Sequence, residues 1–125
     1  MKRTEARELA FKTIYAKFFN SNADENDELE GADMEGLEFT QKILSCFASN
    51  YNEINDLIST NLKGYTIERL NKIDLSIITL ALIELKYMTE TPKEVVINEA
   101  VELAKKYSTE KSPKFINGFL ASIIK

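Results

Sequence analysis

The stretch from Ile73 to Met88, IDLSIITLALIELKYM, constrains the fold more than any other part of the chain. Its apolar residues are not confined to one stripe. A helix of that composition is buried on most sides, so it needs neighbours around most of its circumference. Its most apolar part, about Ile77 to Ile83, is far short of the ~20 residues that a membrane-crossing helix needs.

The rest of the chain supplies helices of a different kind, with one apolar face each. Helix one is expected over about Arg3 to Asn20, with Phe11, Ile14, Tyr15 and Phe18 at i, i+3, i+4, i+7. Ser21 to Gly31 is polar and acidic and reads as a solvated loop. Helix two is expected over about Asp33 to Ser49, with Leu37, Ile43, Leu44 and Phe47 inward. A third covers about Asn52 to Leu62 and stops at Gly64. Thr66 is placed to cap a short helix through Lys72. After the apolar helix, Thr91-Pro92 opens another, carrying Val96, Ala100, Leu103, Ala104 and Tyr107. Ser112 followed by Pro113 reads as an N-cap with proline in the first helical position. The last helix then buries Ile116, Phe119, Leu120 and Ile123. Strand patterns are nearly absent. The expectation is an all-α fold of about seven short helices in one domain, residues 1–125, with the Gly64-Tyr65 break dividing it into halves of about 1–64 and 65–125.

At 125 residues, with 44% hydrophobic and 29% charged residues, the chain has enough apolar material for a core. Nothing at the N-terminus resembles a secretory signal, because Glu5, Arg7, Glu8, Lys12 and Lys17 interrupt any apolar segment. The single cysteine, Cys46, has no internal disulfide partner, which fits a reducing cytoplasm. It lies among Ile43, Leu44 and Phe47 and reads as core.

Catalytic and metal chemistry lack their usual carriers. The chain has no histidine, so the commonest general base and metal ligand is missing. No glycine-rich phosphate loop occurs. Glu99 and Glu102 share a helix, but Lys105 and Lys106 follow at ion-pairing spacing, which favours a structural role. Binding, with no cofactor and no metal, is the better class.

The formal net charge of −4 hides a segregated distribution. Lys2, Arg3, Arg7, Lys12 and Lys17 lie near the start, and Lys105, Lys106, Lys111, Lys114 and Lys125 near the end. Ser21 to Thr40 holds acids and no base. Separated fields of this kind matter more to a partner than the sum does. Arg3 and Arg7, four apart, share a helical face. Lys111 and Lys114 flank the start of the last helix, where free backbone N–H groups favour an anion. Phe115 lies off the centre of the apolar stripe, near Tyr107 in the preceding stretch of chain. Cations, helix N–H groups and edge aromatics suit single-stranded RNA. The pattern alone equally allows solvated lysines and rim aromatics. Gly118, inside the last helix, suggests close approach of a helix or a ligand.

Three blocks carry a resemblance: EARELAFKTIY (Glu5–Tyr15), IDLSIITLALIEL (Ile73–Leu85) and PKEVVINEAVELAKKYSTEKSPKFINGFL (Pro92–Leu120). With these the chain resembles the NusB family of bacterial transcription antitermination factors, over nearly its whole length except Ser21 to Asp33. The resemblance implies two three-helix-bundle-like halves. It implies binding to the boxA element of nascent ribosomal RNA together with NusE, a small-subunit ribosomal protein, within an RNA polymerase complex that contains other Nus factors. It implies no enzymatic activity. Carried over by position, Arg3 and Arg7 would take phosphates, and Lys111, Lys114, Phe115 and Tyr107 would face RNA. Glu68 and Asp74 would face NusE, and Tyr15 would lie near both surfaces. Self-association that hides the RNA surface also occurs in the family, so a homodimer is compatible with it. Two departures from the family pattern stand out. Thr4 and Glu5 stand where basic residues are common, and Lys111 stands where an acid is frequent. A protein–protein adaptor with weakened or lost RNA binding is the alternative that these departures motivate.

Overall fold

A computed structural model describes residues 2–19, 34–64 and 66–124. The acidic stretch expected as a loop lies outside these residues. Five α-helices and one 3-10 turn make up the described part: α1 (Arg3–Phe19), α2 (Met34–Asn61), the turn Ile67–Arg69, α3 (Lys72–Tyr87), α4 (Lys93–Tyr107) and α5 (Ser112–Ile123). No strand occurs among the described residues.

The helix that the sequence singles out is the hub. Every residue of α3 from Asp74 to Glu84 is buried. α1, α2, α4 and α5 all pack against it. Its start is fixed by Asn71, whose Oδ1 accepts from the Asp74 backbone N–H at 2.8 Å. The surrounding helices contribute the stripes their spacing predicts: Phe11 and Ile14 from α1, Val96, Ala100, Leu103 and Ala104 from α4, and Ile116, Phe119 and Leu120 from α5.

The second and third expected helices are both present, as two segments of α2 that meet at a kink at Asn50, where φ is −124° and ψ is 21°. The Asn50 side-chain amide donates to the Cys46 carbonyl at 3.0 Å. A side chain thus engages the carbonyl four residues back, at the kink between the two helical segments. Ile43, Leu44 and Phe47 before the bend, and Ile54 and Ile58 after it, enter the same core. Gly64 has φ +87°, a value at which a side chain would be strained, and it turns the chain after α2. The short helix expected after Thr66 is a 3-10 turn, and the Thr66 side chain does not cap it. Its i→i+3 bonds run from Arg69 N–H to the Thr66 carbonyl and from Leu70 N–H to the Ile67 carbonyl, both 3.1 Å.

Ser112 departs from its expected role. α5 has Lys111 at its N-cap position and no side-chain cap. The Ser112 hydroxyl is drawn inward instead and donates to Asp74 Oδ2 at 2.9 Å. A buried carboxylate left without a donor costs more than a helix-terminal N–H that solvent can reach. Gly118 departs as well. It is exposed, and nothing lies within 4 Å of where a Cβ would stand, so no neighbouring helix requires a glycine there.

Because α3 is enclosed, truncation there has no route to relaxation. Ile78→Ala, at a fully buried position, is expected to cost about 2–5 kcal/mol. The thermal midpoint should fall by on the order of 10 °C. Val95→Ala, at an exposed position of α4, should change stability by less than about 0.5 kcal/mol. Paired thermal melts check both.

Candidate nucleic-acid interface

The start of α1 brings its two arginines to one ring. The guanidinium carbons of Arg3 and Arg7 lie 4.7 and 5.2 Å from the Phe39 centroid. They differ in everything else. Arg3 is exposed. Arg7 is 3% exposed, and its Nε donates to both oxygens of Glu84, at 2.9 and 2.8 Å. Its Nη1 lies 3.6 Å from Glu99, whose carboxylate also accepts from the Thr4 hydroxyl at 2.8 Å. Arg7 was expected to take phosphate with Arg3. The geometry assigns it elsewhere: it neutralises a carboxylate carried inside the fold by α3.

Burial pushes the Glu84 carboxyl above the ordinary carboxylate range, and the hydrogen bond and charge of Arg7 only partly offset this. The pair is therefore demanding: each group depends on the other to be buried at all.

Tyr107 at the end of α4 is also built into the helix packing. Its hydroxyl donates to Glu8 of α1. The Lys106 ammonium donates to the same carboxylate at 2.9 and 3.1 Å. The Tyr107 ring lies 5.2 Å from Phe11, with the ammonium groups of Lys12 and Lys106 at 5.8 and 5.3 Å from its centroid. Burial alone would raise the Glu8 pKa. The hydrogen bonds from Tyr107 and Lys106, with the charges of Lys106 and Lys12, outweigh it and hold the carboxyl below its usual value. Half-buried Tyr107 thus joins α1 to α4, within a cluster of cations that remains largely exposed.

The segment from Ser108 to Phe115 is organised by Asp74. Its carboxylate accepts from the Ser108 hydroxyl at 2.6 Å and from the Ser112 hydroxyl at 2.9 Å. Ser112 is also 2.8 Å from the hydroxyls of Ser108 and Thr109. Asp74 is 6% exposed, so the expectation that it faces a protein partner is revised. Its oxygens are engaged inside the chain, pinning the α4–α5 connection to the first turn of α3. Glu68 is exposed on the 3-10 turn, and Tyr15 is half-buried, 6.3 Å from Phe11.

Lys111 and Lys114 are both exposed, but they open onto different sides of α5. Lys111 lines a cleft of about 260 Å³ with Phe115, Thr109, Asn71 and Arg69. Lys114 lines a larger groove of about 560 Å³ between α4 and α5, with Ile97, Val101 and Asn117. Phe115 is half-buried, with its ring 5.9 Å from Phe119.

Sequence reasoning did not single out Arg69, Glu8, Glu84 or Phe39. Glu84 had a legible signal, a carboxylate inside the most apolar run of the chain. Arg69 had none, since an isolated cation in a short turn carries no periodicity.

No described helix is long and apolar enough to cross a membrane. The sequence model of the NusB family matches residues 4–125. The transcription antitermination protein NusB of Finegoldia magna is 38% identical over 130 residues, covering 100% of this chain and 95% of the relative. That of Listeria innocua is 39% identical over 123 residues, covering 98% and 96%. Among solved structures, NusB of T. maritima superposes with a TM-score of 0.91 at 34% identity, covering 98% of this chain and 90% of that one. A chain from a complex of the antitermination factors NusB and NusE with double-stranded RNA superposes at 0.88 and 26% identity, covering 97% and 94%.

Replacing Arg7 with alanine strands Glu84. The expected loss is about 3–5 kcal/mol at pH 7, read from denaturant unfolding. A carboxyl whose folded pKa lies above its unfolded value favours folding most below the unfolded value, and loses that contribution as pH rises through the folded one. The deficit of Arg7→Ala should therefore narrow as pH falls from 7 to 5. A deficit that widens over that range would contradict the assignment.

Proposed function

The chain belongs to the NusB family, and from that premise we propose that it is a transcription antitermination factor. It binds the boxA element of nascent ribosomal RNA together with NusE and helps RNA polymerase pass premature termination sites with other Nus factors. The observation that carries this reading is the full-length correspondence with antitermination proteins, joined to the close superposition on a chain crystallised with NusE and RNA. The protein acts as a non-catalytic adaptor in the cytoplasm. Residues 1–125 form one RNA-binding domain, with the two halves meeting near Gly64.

The residues supporting the RNA contact are Arg3 at the start of α1 and Lys111, Lys114 and Phe115 around the start of α5, all exposed or half-buried. Phosphates take the charges, and an unstacked base takes the Phe115 ring. Stacking of this kind is worth roughly 1–3 kcal/mol per base. Arg7 and Tyr107 support the site from beneath, through Glu84 and Glu8. Exposed Glu68 and half-buried Tyr15 remain candidates for NusE contact, with Glu68 suited to a basic partner. Asp74 is left out of that surface because of its burial.

A second reading, an adaptor for NusE with weak or lost RNA binding, draws on the commitment of Arg7 to Glu84, which thins the basic start of α1. Gel shifts with a boxA single strand, with and without NusE, separate the two. If four phosphates are neutralised, log K should fall against log salt with a slope of about −3. Lys111→Glu with Lys114→Glu should weaken RNA binding and leave NusE binding intact. Unchanged RNA affinity in that variant overturns the proposed surface. NusE binding without any RNA shift at low salt selects the adaptor.

A further inference from the structure

On the RNA-binding reading above, we propose that the cleft between the 3-10 turn and the start of α5 seats a single nucleotide, with Arg69 as a phosphate ligand opposite Lys111 and Phe115 as the support for its base. One side of the cleft is formed by Arg69, Leu70 and Asn71. The other is formed by Thr109, Lys111 and Phe115. Buried Asp74 and Ser112 line it between them.

Its volume of about 260 Å³ lies just below the ~300–1,000 Å³ of small-molecule pockets. It therefore suits one nucleotide moiety rather than a stretch of helix or duplex. The two cations come from different elements, and among the described residues neither has an ion-pair partner within 4 Å. A phosphate between them gains from both charges. Asp74 is the one acid among the lining residues, and its oxygens are occupied by the Ser108 and Ser112 hydroxyls. It therefore shapes the cleft, held on the side of the two serines.

Both sides are tied to the same point. Asn71 caps α3 through the Asp74 N–H, which holds the 3-10 turn. Ser112 binds the Asp74 carboxylate, which holds the start of α5. The separation of Arg69 from Lys111 is thus set by the first turn of one buried helix. A preorganised pair loses little freedom when it binds.

The test uses the full chain and a boxA single strand carrying 2-aminopurine at successive positions. One position should be quenched on binding, and Phe115→Ala should abolish that quenching. Arg69→Ala should weaken binding roughly tenfold, the scale of one charge-assisted contact. It should also reduce the magnitude of the salt slope by about 0.7, the amount expected for one phosphate on a single strand. Lys42→Ala, on the exposed side of α2, should leave both unchanged. If Lys111→Glu weakens binding while Arg69→Ala keeps wild-type affinity and slope, this inference falls and the RNA-binding reading stands. If no position is quenched, the nucleotide seat is overturned. If neither Lys111→Glu nor Arg69→Ala changes RNA affinity, the seat falls together with the proposed RNA surface around α5.

Discussion

The burial of α3 from Asp74 to Glu84 is the constraint on which the rest of the structure depends. A helix enclosed on all sides should carry no charge. This one carries a carboxylate at each end of its buried stretch, and each is satisfied by a different neighbour. Glu84 holds Arg7 and so fixes the start of α1. Asp74 holds Ser108 and Ser112 and so fixes the entry to α5. Removing either carboxylate's partners would leave a desolvated charge, a cost far greater than that of a surface ion pair. The two basic ends of the chain are thereby anchored to opposite ends of a single core helix.

This arrangement explains a net-acidic protein with usable basic surfaces. Part of its negative charge is spent internally or laterally. Glu84 and Asp74 lie in the core, Glu8 sits under Tyr107 and Lys106, and Glu102 pairs with Lys105 along α4. Lys111, Lys114 and Arg69 have no such neutralisation among the described residues. What a partner meets is the local arrangement of charge rather than the sum.

Much of the fold was legible because helix periodicity survives without tertiary knowledge. Val96, Ala100, Leu103 and Ala104, or Ile116, Phe119 and Leu120, identify their buried faces by spacing alone. What failed was local polar chemistry. Thr66 does not cap the turn that follows it, and Ser112 abandons a capping role for Asp74, 38 residues away. A hydroxyl or carboxylate has several partners of similar strength, and the fold decides which is nearest. The same reason governs the site. Arg3 and Arg7 are equivalent in sequence, and only the position of Glu84 makes one of them structural. Arg69 joins Lys111 through the path of the chain over α3, which no spacing rule encodes.

Lys114 and Phe115 are consecutive residues, yet they line different clefts. Successive side chains on a helix diverge by about 100°, as 3.6 residues per turn requires. α5 is therefore a watershed. A molecule seated on the Phe115 flank need not displace one lying along the Lys114 flank. Any coupling between two such occupants is reciprocal by linkage, whatever its route. The Asp74–Ser112 contact is the hinge-pin of α5, so the same hydroxyl that forgoes capping bears on both flanks.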